Sequence, residues 1–280
     1  LSTNDVCGMK KDTLTLHINP SPLVNASIDQ TICANNASID LNGSVNAGST
    51  TGAWTTSGTG TFVPSAATLN ASYVPSAADI QSGNVSLTLN ATNIGTCNAV
   101  SDAMQINFTT APVVDAGPST INVCANNTTV NVSGTVSGAT TTGKWTTSGN
   151  GVFLPNNLQL SSSYQLGTAD IANGSVMLYL ESTSNGNCLT VYDSILVSIS
   201  AAPIVNAGTD QLLCSNESSV TLAGSVSGPT TTGSWSGGAG AFSSPSNLTS
   251  SYTPTASELL NGFVILTLTS TNNGLCNLEN

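Results

Sequence analysis

Val176-Met177-Leu178-Tyr179-Leu180 sets a branched apolar residue at every second position, and the same frame stands at Val85-Ser86-Leu87-Thr88-Leu89 and at Val264-Ile265-Leu266-Thr267-Leu268. A period of two puts one face of a strand on a core and leaves the other to water. Three copies at nearly equal spacing make the chain a tandem repeat. Each copy follows a glycine, Gly83, Gly174 or Gly262. Before two of these glycines, Ser76-Ala77-Ala78-Asp79-Ile80 and Thr255-Ala256-Ser257-Glu258-Leu259 suit one helical turn that crosses between sheets. Trp54, Trp145 and Trp235 are 91 and 90 residues apart, as are Cys33, Cys124 and Cys214. Tyr73, Tyr164 and Tyr252 each follow a serine.

The unit opens at Pro22-Leu23-Val24-Asn25-Ala26, Pro112-Val113-Val114-Asp115-Ala116 and Pro203-Ile204-Val205-Asn206-Ala207. It closes on a strand whose apolar residues are Leu14-Leu16-Ile18, Met104-Ile106-Phe108 or Ile195-Val197-Ile199. The domains are therefore 1–21, the C-terminal strand of a truncated preceding repeat; 22–111 and 112–202, whole repeats; and 203–280, a repeat lacking its last strand. A longer parent chain is the expectation on both sides. About seven short strands in ~90 residues is the scale of a Greek-key β-sandwich. The fold class expected is all-β, with sandwiches arranged end to end. The joints Asn19-Pro20-Ser21-Pro22, Thr110-Ala111-Pro112 and Ala201-Ala202-Pro203 are short and contain proline, which predicts a stiff rod of ~110–130 Å. Trp54, Trp145, Trp235, Tyr73, Tyr164 and Tyr252 are the expected large core aromatics, filling a ~10 Å gap between sheets.

Only 6% of the 280 residues are charged, and the net charge is −11. Lys10, Lys11 and Lys144 are the only basic residues besides His17. This excludes nucleic acid as a partner and argues against clamping phosphorylated ligands or anionic lipid. The apolar fraction of 39% argues against disorder. No apolar run is long enough to span a membrane, so no membrane insertion is expected in this segment.

Seven cysteines fit the repeat as two per unit plus one. Pairing within units gives Cys33–Cys97, Cys124–Cys188 and Cys214–Cys276, with separations of 64, 64 and 62 and with Cys7 seeking a partner outside the chain. Pairing across joints gives Cys7–Cys33, Cys97–Cys124 and Cys188–Cys214, with Cys276 left over. The first keeps each sandwich self-contained and is the expected one. Either scheme implies an oxidising, extracellular compartment. A closed loop of this size stabilises by ~4 kcal/mol in the chain-entropy picture.

Val205-Asn206-Ala207-Gly208-Thr209-Asp210-Gln211 before Cys214, Asn273-Gly274-Leu275-Cys276, and Ser251-Tyr252-Thr253-Pro254 followed by Gly262 resemble the PKD-like and Ig-like repeats of large Bacteroidota cell-surface adhesins. The resemblance covers the whole chain. It implies a type IX-secreted cell-surface protein, in some members a gliding-motility adhesin. The usual PKD sequence Trp-X-Phe-Gly-Asp-Gly is replaced by Trp54-Thr55-Thr56-Ser57-Gly58, so calcium or glycan sites of PKD modules do not transfer. In this setting Asp-Ser/Thr-apolar triplets are the relevant O-glycosylation pattern. Asp12-Thr13-Leu14 and Asp193-Ser194-Ile195 match it at Thr13 and Ser194.

No catalytic residue, metal site or cofactor is read from the sequence. His17 stands in one unit only, and Asp79, Asp170, Asp102, Asp193, Asp29 and Asp210 recur singly, as caps and turn residues do. The first reading of function is a non-enzymatic structural and adhesive stalk segment of a long surface filament. Its partners are neighbouring repeats of the same chain, with surface polysaccharide or motility and secretion machinery reached through other parts of the parent. A polysaccharide-binding module would instead need rows of exposed Trp or Tyr. A pilus-like polymer built by donor-strand exchange would use the strand Thr13–Ile18.

Overall fold

The computed structural model describes residues 12–280. Cys7, Lys10, Lys11 and the rest of residues 1–11 of the expected strand remnant 1–21 lie outside the described residues. Two compact units divide the chain: the described residues up to Ala111 together with Asn187–Leu189, and Pro112–Gly186 with Thr190–Asn280.

Residues 112–202 form the complete sandwich of the second repeat. One sheet runs in the order Thr120–Cys124, Tyr192–Ser200, Ser175–Thr183, Thr142–Thr147. The facing sheet is Thr129–Ser133, Ser161–Gln165, Val152–Leu154, and Val113–Asp115 pairs with Thr135–Ser137 as a ribbon. All pairings are antiparallel except that of Thr120–Cys124 with Tyr192–Ser200, which run parallel. Residues 22–111 repeat the plan. Gln30–Cys33, Ser101–Thr109, Asn84–Thr92 and Thr51–Thr56 form their four-stranded sheet, again with one parallel pairing.

The alternation read from the sequence is the alternation of burial. Val176, Leu178 and Leu180 are buried, and Leu178 and Leu180 have strand partners on both sides. Buried apolar residues fall into three clusters, one within each of 22–111, 112–202 and 203–280. Trp54, Trp145, Trp235, Tyr73, Tyr164 and Tyr252 are all buried. Each indole N–H donates to a backbone carbonyl, Leu69 at 3.1 Å, Leu160 at 3.2 Å and Leu248 at 3.1 Å, so no polar atom of the ring is left unpaired. Phe153 lies between Trp145 and Tyr164, its ring centroid 6.1 Å and 4.9 Å from theirs. Trp145→Ala should lower the stability of this sandwich by about 3–5 kcal/mol, measurable as an earlier urea midpoint for its unfolding.

The crossing segments are longer than the one turn expected. They are six-residue helices at Ala77–Ser82, Thr168–Asn173 and Ala256–Asn261. Each stops on a glycine with φ between 72° and 81°, a left-handed conformation that other residues adopt at a cost.

Residues 12–20, within the expected strand remnant 1–21, are exposed and belong to none of the described strands. In residues 203–280, Thr232–Gly237 pairs with Leu266–Thr271 in a sheet of two strands, and the last strand of the other repeats has no counterpart among these residues. The segment 210–214 matches Thr120–Cys124, yet it forms no strand without the neighbour that Tyr192–Ser200 provides in the second repeat.

Candidate functional site: disulfide staples from one repeat to the next

The first cysteine of a repeat ends the strand that pairs in parallel, as Cys33 ends Gln30–Cys33 and Cys124 ends Thr120–Cys124. The second sits in the loop between the two longest strands. There Gly95, Gly186 and Gly274 have φ of 59° to 61° and turn the chain two residues before Cys97, Cys188 and Cys276.

The bonds run Cys33–Cys188 and Cys124–Cys276, with Cα–Cα distances of 5.0 and 4.9 Å. This corrects the within-unit pairing Cys33–Cys97, Cys124–Cys188 and Cys214–Cys276, and it is not the across-joint alternative either. Each bond joins the first cysteine of one repeat to the second cysteine of the next. The separations of 155 and 152 are the expected ones shifted by one period. The physical reason lies in the two positions within a sandwich. The first cysteine is where the parallel strand leaves its sheet, and the second is on a loop at the far end of the long strands, so a bond inside one repeat would have to span it.

A side-chain clamp flanks each bond. The Asn35 amide donates to the Leu189 carbonyl (3.0 Å) and accepts from the Leu189 N–H (3.1 Å). Asn126 does the same to Asn277, at 3.1 and 3.0 Å. In both, the asparagine lies two residues after the first cysteine and its partner one residue after the second. Asn36 adds a bond to the Asn187 carbonyl (3.2 Å), and Asn126 one to the Glu279 carboxylate (2.7 Å). An amide that satisfies an N–H and a C=O together fixes one relative position of the two loops, which a disulfide alone does not.

Cys97 and Cys214 carry no disulfide among the described residues, and both are accessible. Cys97 keeps the setting of its bonded counterparts. Its sulfur is 3.8 Å from the Pro20 carbonyl, as Cys188 is 3.8 Å from Thr110 O and Cys276 is 3.6 Å from Ala201 O.

The single aspartates have structural partners. The Asp79 carboxylate, at the first turn of its helix, accepts from the Tyr73 hydroxyl (2.7 Å) and from the N–H groups of Thr59, Gly60 and Ser76 (2.8, 2.9 and 3.0 Å). Burial alone would raise its pKa, but these hydrogen bonds win and hold it at about 2. Asp170 repeats the arrangement with Tyr164 and is also lowered. In the third repeat Glu258 replaces the aspartate and accepts from Tyr252 at 2.7 Å. Asp102 and Asp193 accept from the N–H groups of Ala26 and Ala116, at 2.8 and 2.9 Å, pinning the first strand of a repeat to its last. Asp29 accepts from Gln105 N–H at 2.8 Å. No cluster of three metal-ligating side chains occurs among the described residues. No helix of the described residues is long and apolar enough to cross a membrane.

Thr13 is exposed and Ser194 half-buried within its strand. The sequence did not reveal the cysteine partners, the asparagine clamps or the roles of Asp102 and Asp193. One signal was available: Cys-Ala-Asn-Asn stands at 33–36 and again at 124–127.

No protein-family model matches the chain, and no curated protein matches it. Among solved structures it is similar to a titin fragment of three immunoglobulin domains (12% identity, TM-score 0.48, covering 94% of this chain and 96% of that one). It is also similar to the insect immune protein hemolin (13%, 0.38, 64% and 46%) and to a Drosophila N-cadherin fragment (12%, 0.39, 65% and 50%). The chain spans about half the length of the latter two. At these values the assignment to tandem β-sandwiches rests on the sheets themselves.

Proposed function

We propose that this chain is a structural and adhesive segment of a long repetitive surface protein, in which successive repeats are bolted together by disulfides. The observation that carries this is the pairing of Cys33 with Cys188 and of Cys124 with Cys276, each reinforced by an asparagine clamp. A bond that spans a joint adds nothing to a catalytic cleft. It resists the separation of neighbours, which is the demand tension makes. Disulfides belong to an oxidising compartment, and a surface with few charges suits a secreted segment that passes other polymers without ionic attachment. The Bacteroidota resemblance extends this reading to a cell surface, type IX export and gliding motility, and supports O-glycosylation at Thr13 and Ser194. That extension rests on the resemblance alone.

The test is mechanical. Chains held by terminal tags are pulled in oxidising buffer and compared with Cys33→Ser/Cys124→Ser chains. The oxidised wild type should stay several-fold shorter at rupture; equal lengths would overturn the reading. The polysaccharide alternative has less support, because all three tryptophans are buried. Tyr192 is an exposed ring, at 70%, and glycan-array binding lost in Tyr192→Ala would favour that alternative.

A further inference from the structure

Each staple joins a buried sulfur to an accessible one. Cys33 and Cys124 are 0% exposed. Both end strands held by parallel pairing. The ladder continues past them, from Ala34 N–H to the Thr109 carbonyl and from Ala125 N–H to the Ser200 carbonyl, both 2.9 Å. Cys188 and Cys276 are half-buried, in loops whose next residues, Leu189 and Asn277, are exposed. The groups around their sulfurs are exposed as well: Thr109 and Thr110 beside Cys188, and Ala201 beside Cys276.

We propose that the staples open from this side only: a small external thiol attacks Cys188 and Cys276, and each bond reseals unless its two loops are drawn apart. The proposal rests on the staple reading above and adds a means of control to it.

The external thiolate attacks the Cys188 sulfur. A new S–S bond forms between them, and the bond to Cys33 breaks. The electron pair leaves on the Cys33 sulfur, which takes a proton from water. In the reverse step the Cys33 thiolate attacks Cys188, expels the external thiolate and restores the staple. Two effects oppose each other in the forward step. A buried thiolate is the poorer leaving group, which favours attack on the buried sulfur. Access favours attack on the open one. Access decides, because the nucleophile must come in line with the S–S bond and touch the sulfur it attacks. A cavity of about 260 Å³ beside the first staple is lined by Ile32, Cys33, Asn36, Ser38 and Asn187. Cys33 is nonetheless fully buried, so a thiol seated there has only the Cys188 sulfur open to it.

Resealing has its own geometry. The Asn35 amide holds the Leu189 backbone through two hydrogen bonds, 3.0 and 3.1 Å, which do not depend on the S–S bond. The Cys33 sulfur lies 3.0 Å from Asn35 Oδ1, to which its S–H donates once released. The Cys188 loop therefore stays beside Cys33 after opening. Asn126 holds Asn277 beside Cys124 in the same way. Tension that pulls the loops off their asparagines separates the sulfurs and leaves the staple open. A thiol thus lengthens the segment while it is under load and leaves it unchanged at rest.

The full chain carrying Cys7→Ser, Cys97→Ser and Cys214→Ser keeps the four bonded cysteines as reporters. Non-reducing mapping should first return the Cys33–Cys188 and Cys124–Cys276 peptides; any other pairing ends the staple reading and this proposal with it. The chain is then held in reduced glutathione, and its free thiols are capped with N-ethylmaleimide. Glutathione should be found on Cys188 and Cys276, and maleimide on Cys33 and Cys124, by about tenfold over the reverse. Asn35→Ala should raise glutathione on Cys188 several-fold and leave Cys276 unchanged, and Asn126→Ala should do the opposite. Correct pairing with glutathione spread evenly, or placed mainly on Cys33 and Cys124, overturns this proposal and leaves the staples standing. So do bonds that take up no glutathione, and asparagine variants that label as their parent does.

Discussion

Pulled from its two ends, the oxidised chain will stop lengthening when the stretch from Cys33 to Cys276 spans ~230 Å, and the reduced chain will run on to ~850 Å, at about 3.5 Å per extended residue. Without disulfides the stretch contains 243 residues. With them, the shortest covalent route crosses from Cys33 to Cys188, runs back along the 64 residues to Cys124 and crosses there to Cys276. The 88 residues from Cys188 to Cys276 and the 91 residues from Cys33 to Cys124 belong to longer routes and stay slack, so the segment between Cys124 and Cys188 carries the load. Removing either bond alone, by Cys188→Ser or Cys276→Ser, breaks that route and should lengthen the limiting span by about 80–90 Å, because the load then passes through 91 or 88 residues. Only loss of both releases the full length.

The same measurement separates the possible pairings. Bonds within each repeat would leave only the 27 residues from Cys97 to Cys124 and the 26 from Cys188 to Cys214 to extend, ~190 Å in all. Bonds across the joints would leave the 64 residues from Cys33 to Cys97, the 64 from Cys124 to Cys188 and the 62 from Cys214 to Cys276, ~660 Å. The interlocked scheme lies between. It gives up the shortest possible tether and gains a bond at each joint it spans. In the chain-entropy picture each loop of about 150 residues contributes ~5 kcal/mol, against ~4 for the shorter loops of the within-repeat scheme.

What the sequence disclosed and what it hid have the same origin in periodicity. Val176, Leu178 and Leu180 declare a strand because a period of two is local, and local pattern is what burial of one face selects. Trp54, Trp145 and Trp235 declare a common core because they recur with the unit. Cysteine partners are different. In an exact repeat, a bond within a unit and a bond shifted by one period use the same residue types, so spacing cannot choose between Cys33–Cys97 and Cys33–Cys188. The choice is made by where the two positions fall on the sandwich, and that depends on the parallel pairing of Gln30–Cys33 with Ser101–Thr109. No local pattern announces a parallel edge. Residues 13–18 show the same dependence: their alternation suits a strand, but strandedness belongs to a pair of segments, and they lie in none of the described sheets.

The second large effect concerns the buried aspartates. Asp170→Ala should cost the second repeat roughly 3 kcal/mol. The carboxylate is 1% exposed. It accepts from the Tyr164 hydroxyl at 2.7 Å, from Gly167 N–H at 2.9 Å and from Asn150 N–H at 3.0 Å. Alanine leaves all three donors short of an acceptor. Tyr164→Phe removes one donor and also the acceptor of Gly151 N–H, and should cost less, about 2 kcal/mol. Asp170→Asn keeps the shape but turns an amide NH₂ toward N–H and O–H donors, so it should resemble alanine in cost. The pH dependence gives the sign. In the first repeat the unfolded Asp79 titrates near 3.8 and the folded one at about 2. A lowered pKa contributes stability that is complete above the unfolded value and is lost as pH falls through the folded one. Asp170 is lowered in the same direction. Thermal unfolding of the wild type should therefore change little down to about pH 4 and fall between pH 4 and 2. Asp79→Asn should flatten that fall for the first repeat while lowering its stability at neutral pH. An acid profile unchanged by Asp79→Asn and Asp170→Asn together would mean that these carboxylates do not set the acid limit of the fold.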